Sequence, residues 1–193
     1  MDPASYLWTN ALRQALKRNR REAHSRYFQL ATVDTEGKPR VRTVVYRGLD
    51  DDQQSPVFIT DTRSAKMSHL DRQAVEVCWY FPISREQFRI AGQAEVFASH
   101  HHQRLSVWQG LSDAARAQFF WPTPGEAVAN GEQAINEGYN DGATPPPNFA
   151  TVAIRAERID HLRLSNPQRR MLSALTASTP HSATGWVVHE VNP

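Results

Sequence analysis

Two cations and a hydroxyl stand close together where a predicted strand ends. In "FITDTRSAK", residues 58–66, an apolar strand is followed by Arg63, Ser64 and Lys66. The first turn of a helix at this point would direct backbone N–H groups at a ligand, and cations in that turn oppose the helix dipole unless an anion is bound. The segment therefore suits a phosphate, although Ser64 as an ordinary N-cap between solvated cations explains it equally well.

A second source of positive charge lies in the strand before this segment. The two-residue period of a strand sorts residues 40–47, "RVRTVVYR", into two faces, one with Arg40, Arg42 and Tyr46 and the other with Val41, Thr43, Val45 and Arg47. A neighbouring strand would bring Arg42 beside Lys66. Because a guanidinium, an ammonium and a hydroxyl together suit a terminal phosphate, the two segments jointly favour an anion site.

Other recognisable chemistry is missing from the sequence. It contains no Gly-x-Gly-x-x-Gly fingerprint, P-loop, Gly-x-Ser-x-Gly elbow or His-Glu-x-x-His motif. The run His100–His102 would point three imidazoles in different directions on a helix, so we expect a solvated helix start and no metal site. Cys78, the only cysteine, lies in an apolar run and is expected to be a core thiol.

Alternating apolar residues predict a mainly β protein. Residues 27–49 indicate a hairpin around the turn "DTEGK", and three further strands follow in "VFIT", "VEVCWYF" and "EQFRIAGQAEVFA", with a helix in "RSAKMSHLDR". A five-strand antiparallel meander interrupted by one helix is typical of a β-barrel or strongly coiled sheet with flanking helices. Two later strands are expected at residues 149–164 and 185–191.

Helices are expected at the N terminus and after the fifth strand. Residues 5–23 carry an apolar stripe opposite a basic face, and residues 99–121 show a second helical pattern with Ser112 as an internal cap. We predict one domain over residues 1–193, with an N-terminal helix in 1–24 and a long Pro- and Gly-rich loop at 122–148.

The overall charge argues against broad classes of partner. With 22 Lys and Arg against 20 Asp and Glu, the formal net charge is +2, which is too small to indicate nucleic acid. No apolar run approaches the ~20 residues of a membrane helix, and the first residues lack a signal-peptide pattern. We therefore expect a soluble, cytoplasmic protein.

Four segments occur in a recognisable order: "RTVVYR", "FITDTRSAK", "EQFRIAGQAEV" and a C-terminal strand that ends in "NP". Together they resemble the pyridoxamine 5'-phosphate oxidase-like FMN-binding split-barrel family, over residues 27–193. The chain looks closest to the branch described only as FMN-binding and oxidase-related, rather than to the authentic vitamin B6 oxidases. The resemblance implies a split barrel and a homodimer with FMN at the subunit interface.

The resemblance also implies which residues hold FMN. Residues 64–66 would cradle its phosphate together with Arg42, Gln87 would hydrogen-bond the flavin from the other subunit, and Arg170 would lie beside the cofactor. The full cofactor-binding set that it implies is Arg42, Thr43, Val44, Val45, Arg47, Ile59, Thr60, Ser64, Ala65, Lys66, Gln87 and Arg170.

The substrate side departs from the family pattern. Where the vitamin B6 oxidases carry a substrate-binding Arg-x-His, this chain has Asn-Pro-Gln at 166–168. The family's tryptophan near the preceding strand end is Leu162, and its substrate-phosphate lysine is Arg47. These changes predict a substrate other than pyridoxine phosphate and leave the phosphate corner intact.

We therefore expect an FMN-dependent oxidoreductase, either an oxidase or a reductase, with the chemistry supplied by the cofactor and orientation by the protein. The sequence assigns no catalytic residue. Three alternatives stay open, one of them nucleic-acid binding by the basic N-terminal helix in residues 1–23. A non-catalytic flavin-binding module or sensor is suggested by the missing substrate residues, and a deazaflavin- or haem-binding split barrel is suggested by the histidine run.

Overall fold

Strands dominate the described part of the chain. The computed structural model describes residues 6–50, 52, 54–98, 101–127, 144–176 and 185–193. The strands are β1 (Tyr27–Val33), β2 (Pro39–Leu49), β3 (Pro56–Asp61), β4 (Ala74–Phe81), β5 (Glu86–Phe97), β6 (Phe149–Arg163), β7 (Arg169–Leu175) and β8 (Trp186–Val191). The helices are α1 (Trp8–Arg18), α2 (His102–Gln109) and α3 (Asp113–Ala117), with short 3₁₀ helices at Ala23–Arg26, Ala65–His69 and Gln118–Phe120.

The strands form one antiparallel sheet that closes on itself. Their order is β3-β2-β1-β4-β5-β6-β7-β8, and β3 also pairs with β6. Strands β1 to β6 therefore form a closed six-stranded barrel, which β7 and β8 extend. The predicted β-barrel with flanking helices is confirmed. The predicted meander is wrong, because the chain crosses after β3 and β4 pairs with β1.

Aromatic side chains fill the barrel. Phe28, Trp79 and Phe88 are fully buried, and the rings of Phe28 and Trp79 lie 5.2 Å apart between centroids. Helix α1 adds Trp8 and Leu12 to the same core. The apolar stripe predicted at the N terminus thus covers part of the barrel.

Helix α1 is shorter than the predicted 5–23 because Asn19 ends it. The Asn19 side chain donates from Nδ2 to the Ala15 carbonyl oxygen at 2.8 Å and accepts from the Ile83 backbone N–H at 2.9 Å. A side chain that bonds both the last turn and another loop stops the helix at a defined point.

A second apolar cluster lies on the other face of β3. Phe58 belongs to the barrel core, whereas Ile59 packs against Trp108, Phe119 and Phe149. Ser112 caps α3 as predicted, accepting from the Ala115 N–H. His100 and residues 128–143 of the predicted long loop lie outside the described residues. None of the helices that the structure describes is long and apolar enough to cross a bilayer.

Cys78 does not occupy the core position that the sequence predicted. The alternation of β4 directs Val77 and Trp79 inward and leaves Cys78 half-buried on the outer face. Burial nevertheless raises the pKa of its thiol, opposed by Arg89 and supported by Glu76. The apolar run around Cys78 has one buried face rather than two.

Candidate functional site

The predicted cation corner forms an open cavity at one end of the barrel. There the β1–β2 turn, the start of β2 and the end of β3 meet, because β2 runs antiparallel to both of its neighbours. The cavity has a volume of about 530 Å³ and is lined by Asp34, Thr35, Glu36, Arg40, Arg42, Ser64, Ala65, Lys66 and His69. The sequence-based expectation that Arg42 lies beside residues 64–66 is met.

Lys66 is the centre of the cavity's positive charge. Its Nζ donates to Ser64 Oγ at 3.0 Å. Burial lowers the pKa of Lys66, the neighbouring charge of Arg42 lowers it further, and Asp61 partly opposes both effects. The protein therefore holds an ammonium group where its charge is disfavoured, as expected for a site that an anion completes.

Arg42 is held by neutral acceptors. Its Nη1 donates to Thr32 Oγ1 at 2.6 Å and to the Leu30 carbonyl oxygen at 3.2 Å. Burial lowers the pKa of Arg42, and the charge of Arg40 lowers it further. Within the described ranges, neither Arg42 nor Lys66 forms an ion pair with a carboxylate. Both positive charges are therefore left for a ligand.

The carboxylates at the cavity rim have partners of their own. Asp34 accepts from the backbone N–H groups of Lys38 and Glu36 and, through Oδ2, from Arg40 Nε at 2.8 Å. The Lys38 N–H, followed by Arg40, holds the pKa of Asp34 below its usual range. Glu36 pairs with Lys38. These acidic groups consequently neutralise the rim cations rather than Arg42 and Lys66.

Arg63 does not belong to the cavity, contrary to the first prediction. Its Nη2 lies 2.6 Å from Asp61 Oδ2 and donates to the Trp121 carbonyl oxygen at 3.1 Å. The predicted helix is also only a 3₁₀ helix, Ala65–His69, and Ser64 makes no side-chain cap bond to it. Such a short segment has little dipole, so side chains rather than a helix terminus supply the positive charge.

The register of β2 confirms its two predicted faces. Arg42 and Val44 pair with the inward residues of β1, whereas Thr43 and Val45 pair with outward ones. Arg47 lies at an irregularity in the β2–β3 pairing. Its Nε is buried without a hydrogen-bond partner among the described residues, and burial lowers its pKa.

Ile59 and Thr60 lie near the end of β3 and do not line the cavity. Ile59 packs on the second apolar cluster, and Thr60 is buried with its Oγ1 3.4 Å from the Asp61 carbonyl oxygen. Within one chain, the two residues therefore support the segment that carries Lys66.

Gln87 and Arg170 lie elsewhere, on the outer face of the sheet. They share one row, because Gln87 pairs with Leu162 and Leu162 with Arg170. Arg170 makes a two-point contact with Asp160 at 2.9 and 2.7 Å, which raises its pKa. Neither residue lines the cavity, and Arg170 instead lines a separate pocket with Arg89 and Asp160. A single chain therefore does not bring these two residues to Lys66.

His69 lines the cavity but was absent from the predicted binding set, as were Asp34, Thr35, Glu36 and Arg40. In a 3₁₀ helix, side chains three residues apart lie on the same side, which places His69 over Lys66. The expected α-helical period does not superpose these positions so closely. The spacing Lys-x-x-His is the sequence signal that would have found it.

The closed six-stranded barrel, extended by two further strands, is the architecture of a split barrel, and the comparisons with known proteins give the same fold. Residues 5–98 match the FMN-binding domain of pyridoxamine 5'-phosphate oxidase. The pyridoxine/pyridoxamine 5'-phosphate oxidase 2 of Arabidopsis thaliana is 34% identical over 194 residues, which cover 96% of each chain. The chain belongs to the pyridoxamine 5'-phosphate oxidase FMN-binding family.

Solved structures show the same fold. A pyridoxamine 5'-phosphate oxidase-related, FMN-binding protein of Nostoc punctiforme superposes with a TM-score of 0.86 and 40% identity, covering 97% of this chain and 98% of its own. PhzG from Burkholderia lata, solved with tetrahydrophenazine-1-carboxylic acid, gives a TM-score of 0.70 over 100% of this chain and 95% of its own. At 17% identity, the PhzG likeness shows the fold alone.

Proposed function

We propose that the chain binds FMN through the cavity at the barrel end and acts as an FMN-dependent oxidoreductase. The observation that carries the proposal is the pair Arg42 and Lys66, which share one open cavity and have no carboxylate partner among the described residues. Membership of an FMN-binding family supplies the ligand to which this pair is matched.

The chemistry of the cavity fits a phosphate monoester. Three cations line it, Arg40, Arg42 and Lys66, and only Arg40 is neutralised by a carboxylate. A phosphate dianion would accept hydrogen bonds from Lys66, Ser64 and Arg42, and charge-assisted bonds of this kind are the strong ones. Binding would also relieve the repulsion between Arg42 and Lys66 that lowers the pKa of Lys66.

The proposal includes a homodimer, because Gln87 and Arg170 do not reach the cavity within one chain. Four large apolar side chains are exposed on the outer sheet face, namely Tyr27, Val33, Val41 and Tyr80. Tyr27 and Tyr80 lie towards one end of this face and Val33 and Val41 towards the other, so the face offers two small apolar areas to a partner. A second copy would present its own Gln87 and Arg170 to the flavin. Analytical ultracentrifugation at micromolar concentration tests this, and a monomer with full FMN affinity would refute it.

When bound, FMN supplies two-electron redox chemistry that amino acid side chains lack. The chain's own residues bind and orient: Lys66 and Arg42 hold the phosphate end, and Gln87 and Arg170 of the second copy would donate to the ring. No residue is assigned the role of catalytic acid or base. The proposed location is the cytoplasm.

The proposed substrate differs from pyridoxine phosphate. Residues 166–168, which replace the substrate-binding Arg-x-His of the vitamin B6 oxidases, form an exposed turn with no basic side chain. The second candidate is pyridoxine or pyridoxamine 5'-phosphate oxidation, which the name of the Arabidopsis thaliana relative favours.

One set of assays separates the candidates. Purified protein is loaded with FMN, reduced by NADH, NADPH or dithionite, and mixed with oxygen; separate samples receive pyridoxine or pyridoxamine 5'-phosphate. We expect reoxidation by oxygen and no turnover of either vitamin. Turnover of a vitamin phosphate would select the second candidate. Stable FMN binding without turnover by any reductant would indicate a non-catalytic flavin module, and absence of FMN binding would refute the proposal.

A further inference from the structure

His69 has two nitrogens in contrasting surroundings. Its ring lines the cavity together with Lys66, Ser64 and Arg42. Nδ1 is buried without a hydrogen-bond partner in the described part of the chain, whereas Nε2 is not among the buried unpaired atoms. At Nδ1 neither a hydrogen nor a lone pair would have a partner, and of these two a buried unpaired N–H group is the rarer in proteins. The donor hydrogen of the neutral ring therefore belongs on Nε2, the nitrogen left open to the cavity.

We infer that His69 is a third side-chain donor to the phosphate, acting through Nε2. The inference rests on the proposed function, since it assigns a ligand contact in the same cavity. His69 lies on the same side of the 3₁₀ helix as Lys66, so both approach the anion from one element. Arg42 approaches from β2, which means that donors from two elements converge on the ligand.

The carboxylates near His69 do not compete with a phosphate for the hydrogen bond from its Nε2. Asp34 and Glu36 also line the cavity, but Asp34 is bonded to Arg40 and to two backbone N–H groups, and Glu36 pairs with Lys38. Neither carboxylate accepts a hydrogen bond from His69 in the structure. An anion is therefore the acceptor that would complete the imidazole, as it completes Lys66.

Amide substitutions distinguish the two ring nitrogens. His69→Gln places an amide N–H near the position of Nε2, whereas His69→Asn places it near Nδ1; His69→Phe keeps a ring without a donor. Affinities for FMN and for riboflavin, which lacks the phosphate, are measured by quenching of flavin fluorescence. We expect His69→Asn and His69→Phe to weaken FMN binding about tenfold and His69→Gln to change it by less than about threefold. Riboflavin affinity should be the same in all four proteins.

The outcomes separate this inference from the proposed function. If the unmodified protein does not prefer FMN to riboflavin, the proposed function itself fails. If it does, but His69→Phe binds FMN as tightly as the unmodified protein, the donor role of His69 is overturned while the phosphate cavity stands. Equal losses in His69→Gln and His69→Asn would also overturn it, because these two amides differ in the position of the donor. Thermal unfolding of each variant verifies that it is folded.

Discussion

The start of β5 and the cavity at the barrel end both concentrate charge, but they treat it differently. Glu86, only 2% exposed, lies 2.6 Å from Arg18 Nη2, 3.4 Å from His161 Nε2 and 3.7 Å from Arg163 Nε. Tyr6 Oη lies 2.8 Å from the other nitrogen of His161. This buried carboxylate is surrounded by partners that tie the N-terminal segment to the barrel.

In the cavity, by contrast, the hydrogen-bond partners of Arg42 and Lys66 among the described residues are all neutral. The charged partners of Glu86 stabilise the folded chain. The cavity cations Arg42 and Lys66, which lack a carboxylate partner among the described residues, destabilise the folded chain until an anionic ligand binds. The number of charged residues in a region therefore does not identify a ligand-binding site. The absence of a partner for a half-buried charge is the informative feature.

We expect the largest effect on stability from removing the charge of Glu86. Glu86→Gln should lower the free energy of unfolding by about 2–4 kcal/mol, because it removes the charge of a buried carboxylate that forms a 2.6 Å ion pair with Arg18. Urea unfolding measures the change. Glu190→Gln is the control, since Glu190 pairs with Arg169 at a more exposed site and its loss should destabilise the fold much less. Equal losses in the two variants would show that Glu86 has no special role.

Substitution of the cavity cations Arg42 and Lys66 should weaken ligand binding rather than folding. Arg42→Ala or Lys66→Ala should weaken FMN binding by about 1.5–3 kcal/mol, a roughly 10- to 150-fold rise in Kd, because each loses a charge-assisted bond to phosphate. Fluorescence titration with FMN measures Kd. Lys17→Ala, on the exposed face of α1, is the control and should leave Kd unchanged. Unchanged Kd in both cavity variants would remove the phosphate assignment.

Low pH should reduce the contribution of Glu86 to the free energy of unfolding. Burial by itself raises the pKa of Glu86, but His161, Ser84 and Arg18 around the carboxylate lower it to about 2. A depressed folded-state pKa stabilises the fold above the unfolded value of about 4.5 and loses that contribution as pH falls towards 2. The stability difference between the unmodified protein and Glu86→Gln should therefore shrink by about 1–2 kcal/mol over this window. A constant difference in pH-dependent unfolding would contradict the pairing.

The smallest expected effect has the opposite sign. Lys66→Met, in ligand-free protein, should raise the free energy of unfolding by about 0.5–1 kcal/mol, since it removes a desolvated cation that Arg42 repels. Calorimetry without FMN measures the shift, with Lys17→Met as the matched exposed control. A destabilised Lys66→Met would mean that the fold needs this charge.

Local periodicity predicted part of this molecule well. The two faces of β2 follow from its two-residue alternation, which is why Arg42 was correctly expected on the face that it shares with Arg40 and beside the Lys66 segment. The β1–β2 hairpin likewise follows from its turn, where Gly37 adopts a φ of +79°. The two faces of β2 and the β1–β2 hairpin both depend on residues that are close together in the sequence.

Non-local pairing was not predictable in the same way. The pairing of β4 with β1 depends on where the chain crosses after β3. The residues of that connection carry no pattern that indicates which strand β4 will pair with. Strand β7 was missed because it is held by pairing with β6 on one side and β8 on the other rather than by a strong pattern of its own. The Gln87–Leu162–Arg170 row, which spans β5 to β7, depends on both pairings.

Fine geometry explains the remaining errors. Arg63 was expected at the anion, but an aspartate two residues earlier takes its guanidinium. His69 was overlooked because a 3₁₀ helix rather than an α-helix aligns it with Lys66. Cys78 was assigned to the core because an apolar strand with one buried face resembles one with two. Each case depends on a side-chain direction that composition does not record.

The most direct test of the phosphate cavity is the ratio of the affinities for FMN and riboflavin. Both ligands carry the same ring and ribityl chain, so their difference isolates the phosphate that Arg42 and Lys66 are proposed to hold. Fluorescence titration of ligand-free protein should show FMN binding at least about tenfold more tightly than riboflavin. Equal affinities, or no binding of FMN at micromolar concentrations, would contradict the account.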